Sequence, residues 1–268
     1  MLTALVLVAC SFLASFQDAK PPGDAKPPSK EQIAATCDAL TKALEKGASA
    51  DGAVSALQAA LEVVDARVIA VIDSKGLRHE DRAVRDAAVE VLGRMQHPDA
   101  LKALHEALKR DKKELETAPP RYATFLRAIA RHGQESSIPY LVEDVFVSSD
   151  KTLVTARILG LGHIRSPKSV DELIQMMRSS KKSWQGAQMP DFRLALAILT
   201  GEDKGTDRQL WINWYGDHKV KLEVAAVPPV LPAELQKRWT SYWGLDDQKE
   251  DQKKEDKAQD AGRERLAR

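Results

Sequence analysis

Histidine is followed by glutamate twice, at His79-Glu80 and His105-Glu106. An imidazole beside a carboxylate is the donor set from which non-haem iron sites are assembled. Two such dipeptides are too few for an open two-metal centre, and they fall differently: His105 inside a helical pattern, His79 in a polar turn. His132 and His163 lie near the ends of matching helices and could face one another, yet neither has a Cys or a carboxylate at ligand spacing. Gly201-Glu-Asp-Lys-Gly-Thr206 has the outline of a phosphate loop. Its Lys stands before the second Gly, a helix leads into it, and Glu202 and Asp203 would repel phosphate. No Ser-His-Asp set or carboxylate pair stands out by spacing. The chemistry expected is therefore none: no catalytic residue, no cofactor and no metal.

Cys10 and Cys37 are the only cysteines. Cys37 shares a helical apolar stripe with Ile33, Leu40 and Leu44 and is expected to pack as a small hydrophobe. Forty basic residues stand against 39 acidic ones, a net charge of +1. That balance argues against nucleic acid as a partner, because neutralising phosphates requires a basic excess.

The aromatic residues are concentrated late in the chain. Thr206-x-x-Gln209 reads as a capping box opening a helix. On that helix Leu210, Trp211, Trp214 and Tyr215 would share one face. A further helix over 233–243 carries Trp239 and Trp243. These rings either cap the end of a stack or grip a ligand such as a glycan. The cap is favoured, because only Asn213 and Asp217 lie nearby in sequence and both project from other sides of the helix.

The elements that must position these residues are helices. From Ser29 to about Tyr215 apolar and Ala residues recur at i, i+3, i+4 and i+7 in runs broken by polar turns. Leu92, Ile129 and Leu161 correspond, as do Leu101, Ile138 and Val170, and then Leu104, Leu141 and Leu173. The offsets are 37 and 32 residues. Pro98 and Pro167 open the second helix of their units, where a missing N–H costs nothing. Roughly six helix pairs are expected, stacked as an all-α solenoid over 29–217.

Outside that body, residues 1–19 form an apolar leader that suits a signal peptide. Leu7-Val8-Ala9-Cys10 resembles a lipobox, which would make Cys10 a lipidation site and the leader the one contact with a membrane. The repeated DAKPP of 20–28 and its approach is a Pro-rich spacer. A C-terminal cap over 218–245 combines an extended segment with the Trp239/Trp243 helix. Residues 246–268 form a charged tail with almost no apolar residue.

The pattern LGxxxxPxAxxxLxxxL, clear in Leu92–Leu108 and Leu161–Met177 and weaker around Arg131–Val145, resembles HEAT-type repeats of the short kind shared with the phycobilisome lyase family. LTGxxxGxDxxxWxxWY resembles the closing segment of exported bacterial HEAT-repeat proteins. The resemblance implies an α-solenoid of HEAT-like helix pairs. It leaves several functions open: scaffold, glycan-binding module, or an enzyme of the HEAT-repeat lyase or hydroxylase type. The scaffold is preferred, in the periplasm or cell envelope, with a protein or peptide on the concave face. Second-helix side chains that would meet it are Lys102, His105, Lys109, Glu143, Asp144, Asp171 and Gln175.

Overall fold

The structure, a computed structural model, describes residues 27–143, 150–179 and 182–245. Twelve α-helices occur among them and no strand. They are α1 (Lys30–Ala43), α2 (Ala50–Ala59), α3 (Ala66–Val71), α4 (Arg82–Arg94), α5 (Pro98–Glu116) and α6 (Pro119–Arg131). Then come α7 (Ile138–Val142), α8 (Lys151–His163), α9 (Pro167–Ser179), α10 (Lys182–Thr200), α11 (Arg208–His218) and α12 (Ala233–Trp243).

Several helices start where the sequence satisfies or dispenses with the first orphan N–H groups. Ser29 and Gln32 close a reciprocal capping box on α1, while Asp65, Asp81 and Asp150 cap α3, α4 and α8. Pro98, Pro119 and Pro167 occupy first positions of α5, α6 and α9. Gly201, at φ 77°, ends α10 with its N–H bonded back to the Ala197 carbonyl at 2.9 Å.

The helices form two layers. α2, α4, α6, α8 and α10 pack one on the next as the first-helix layer, and α3, α5, α7, α9 and α11 alternate with them along the chain as the second, where α3 packs on α5 and α9 on both α7 and α11. α1 packs on α3 and so joins the second layer without a first helix of its own. Five pairs and this single helix replace the six expected pairs. First helices approach closely because small residues meet: a Cβ built on Gly93 would lie 2.8 Å from the Ala128 Cα, and one on Gly162 would lie 2.9 Å from the Ala195 Cα. One continuous core results, running from Ile33 to Trp243.

Three elements differ from expectation. α10 begins at Lys182 and runs through Pro190, a residue that ordinarily opens or breaks a helix. Proline removes one backbone bond and favours a kink, but helical residues on both sides can carry the helix through it. α7 has only five residues, ending at Glu143 with extended backbone. The 218–232 return begins with a 3-10 turn over Lys219–Lys221 and then runs without strand pairing.

Candidate functional site

The unequal lengths of α5 and α7 open a groove between them. α5 has 19 residues and α7 five. Along this gap two adjoining hollows of about 720 and 620 Å³ share Lys109 and Tyr140. Gln96, His97 and Gln134 stand at one end and the Lys112–Glu143 ion pair, 2.7 Å, at the other. Leu101, Lys102, His105 and Lys109 line the α5 wall.

Tyr140 is the centre of the groove. Its ring stacks on His105 at 4.5 Å between centroids, and the Lys109 Nζ lies over it at 5.9 Å. His105 Nε2 is 3.0 Å from Ser137 Oγ, which itself donates to the Ile129 carbonyl at 3.3 Å. With the hydroxyl proton spent there, the imidazole donates from Nε2 and keeps Nδ1 as an acceptor. Desolvation lowers the His105 pKa to about 4, with Lys109 and then His132 adding repulsion. A Ser–His contact invites comparison with a nucleophile and its base. Ser137 is completely buried, however, and its place is structural: it ties α7 to the end of α6.

Of the expected partner-facing residues, the structure brings Lys102, His105, Lys109 and Glu143 into this groove. Asp144 lies outside the described residues. Asp171 is engaged elsewhere: it accepts the Tyr215 hydroxyl at 2.5 Å, holding α11 on α9. Asp171 remains exposed on α9 and lines neither hollow. Gln175 is exposed on α9 and lines neither hollow. Tyr140, Gln134 and Lys112 were not expected. Tyr140 sits in the unit where the repeat pattern is weakest, and its role depends on α7 stopping early.

The remaining histidines have structural partners. His132 Nε2 donates to the Leu92 carbonyl at 3.1 Å, linking the end of α6 to that of α4. His163, one repeat on, interacts with the Arg131 carbonyl and lies under Trp243 and Trp239 at 4.4 and 5.9 Å between ring centroids. His132 and His163 thus serve successive helix ends and do not face one another. His79 Nδ1 accepts from the Asp81 N–H at 3.0 Å. Among the described residues no group of three or more His, Cys, Asp or Glu converges as a metal site.

The C-terminal aromatics divide between two places. Trp211 is fully buried, donates from Nε1 to the Gly205 carbonyl at 2.9 Å, and meets Trp214 edge-on. Trp214 and Tyr215 are buried beside it, but Leu210 is 51% exposed and leaves the expected face. The helix is capped by Asp207, whose carboxylate accepts the Gln209 N–H at 2.7 Å. Thr206 is therefore not the cap, and Gln209 does not return to it; its amide donates to Asn213 at 2.8 Å. An ionised carboxylate one residue on suits the positive helix end better than a hydroxyl. Trp239 and Trp243 do not fold under α11. α12 lies on the first-helix layer, with both rings against His163 of α8 and Arg238 paired to the buried Asp191 of α10. Arg165 anchors the return by donating to the Ala225 carbonyl at 2.5 Å and to that of Ile198 at 2.9 Å.

Burial gives the histidines a testable consequence. His105 and His163 titrate near 4 in the fold and near 6.5 in the open chain, and burial lowers His132 as well. Between those values the unfolded chain binds more protons, so this stability is present above 6.5 and is lost as pH falls toward 4. Chemical denaturation at pH 5 is expected to show about 2–4 kcal/mol less stability than at pH 7. Equal values at the two pH values would mean that these imidazoles are solvated.

Cys10 and the apolar leader lie outside the described residues, as do most of the Pro-rich spacer and the charged tail. Among those described, no helix is long and apolar enough to cross a membrane. The family model for HEAT repeats matches residues 37–119, from within α1 to the start of α6. No curated protein matches the chain.

Proposed function

We propose that this chain, built of HEAT repeats, is a non-enzymatic scaffold that holds a protein or peptide segment on its concave, second-helix face, in the bacterial cell envelope. HEAT repeats commonly mediate protein interactions, and the observation that carries the reading here is the α5–α7 groove. Its lining mixes the Tyr140 and Tyr122 rings, apolar side chains and unpaired ammonium groups, which suits a peptide. The glycan reading loses its support in the packing, because Trp211, Trp214, Trp239 and Trp243 are buried among the chain's own side chains. The envelope address rests on the apolar residues 1–16 and the DAKPP spacer that follows.

A photo-reactive aromatic at position 140, introduced into the full chain in bacterial cells, tests groove and address together. Crosslinks are expected from position 140 and recovered in the envelope fraction, with few from the same probe at Arg82 on a first helix. Equal yields from both positions, or adducts confined to the cytosol, would contradict the proposal.

A further inference from the structure

Within the groove, charge and spacing specify more than a peptide. Lys102 and Lys109 lie seven residues apart on α5, two turns, and both face the same hollow. Their backbone positions are about 10.5 Å apart along the helix axis. Among the described residues neither ammonium is ion-paired, whereas the neighbouring Arg110 and Lys112 are held by Asp111 and Glu143. Midway between the two lysines, the Tyr140–His105 stack presents an aromatic surface.

A ligand that offers two negative groups about 10 Å apart on one side matches that backbone spacing, so that each lysine reaches its partner without leaning along α5. An extended β-strand does not, because residues on one face recur at about 7 or about 13 Å. A polyproline II helix does: residues i and i+3 point the same way at about 9.3 Å. This conformation also docks on aromatic-lined grooves at low entropic cost. Glu106, likewise unpaired, stands between the lysines on the same wall and would repel an acidic residue at i+1 or i+2.

We propose that the groove takes a peptide in the polyproline II conformation with carboxylates at i and i+3, one on Lys102 and one on Lys109, and uncharged residues between them over Tyr140. This rests on the groove being the binding site and adds the class of its partner. The contacts are solvent-facing, so binding weakens with salt.

Titration of the full chain with the labelled peptide Pro-Glu-Pro-Pro-Glu-Pro is the direct test. It should bind about tenfold more tightly than its Gln counterpart, and more tightly than versions with the two Glu at i+2 or i+4. Lys102→Glu and Lys109→Glu should each remove that preference, while the dichroism of the variants stays that of the parent. No measurable binding, equal binding of the Gln peptide, or indifference to spacing would overturn the proposal. A second arm selects a random peptide library on the same chain. Selected peptides without the acidic pair that nonetheless lose binding on Tyr140→Ala would overturn the partner class and leave the groove standing. Peptides indifferent to Tyr140→Ala, or no selected peptide at all, would count against both.

Discussion

Trp211→Ala is expected to cost about 3–5 kcal/mol of folding stability, the usual loss on emptying a buried aromatic site. The indole is completely buried, and its N–H satisfies the carbonyl of Gly205, which is held at φ 67° in the turn before α11. Removing the ring leaves a cavity and frees that carbonyl at once. Trp214 provides the comparison. It retains 9% exposure and stacks on His218 at 4.9 Å, so Trp214→Ala should cost less. Trp211→Phe should lie between, since it keeps most of the ring and loses the bond. Thermal or urea denaturation of the three variants gives the order. A Trp211→Ala chain that melts with the parent, but no longer binds in the groove, would return the aromatic stretch to a ligand role.

Gly162→Val should be strongly damaging to the first-helix layer, as a side chain at Gly93 would be, at about 3 kcal/mol. The new Cβ would fall 2.9 Å from both the Cα and the Cβ of Ala195, so backbone is in the way and no rotamer relieves it. α8 and α10 must separate, and overpacking of this kind usually costs about 1–3 kcal/mol. The gain in helix propensity over glycine is under about 1 kcal/mol and does not offset it. Gly162→Ala should cost less than valine but remain destabilising. At Gly216, where nothing lies within 4 Å of the added carbon, alanine should stabilise by about 0.5–1 kcal/mol. If Gly162→Ala and Gly216→Ala shift the denaturation midpoint in the same direction, the close approach of α8 and α10 is wrong.

These predictions separate two kinds of information. The 3.6-residue periodicity of the apolar positions, the proline starts at Pro98 and Pro167, and the left-handed Gly201 stop are local, and a reader of the chain can find each. So is the repeat: Leu92, Ile129 and Leu161 recur because each helix pair must bury the same stripe on its neighbours. These signals determined an all-α stack and the helices on which Lys102, His105 and Lys109 stand.

Only the tertiary structure decided which surfaces meet. Tyr140 becomes the centre of a groove because α7 stops after five residues beside a 19-residue α5, a mismatch between elements 20 or more positions apart in the chain. Asp171 has the sequence context of a surface carboxylate, yet Tyr215 reaches it across 44 positions. Trp239 and Trp243 lie on the side of α12 that their spacing specifies, but spacing says nothing about which layer receives them. That depends on Arg165 holding the return and on Asp191 waiting for Arg238, contacts spanning 60 and 47 positions. Helical periodicity reports which side of an element is buried, and one helix's own residues suffice to set it. The identity of the surface that buries it depends on where the chain turns, on lengths of neighbouring helices, and on polar partners brought together only when the layers close.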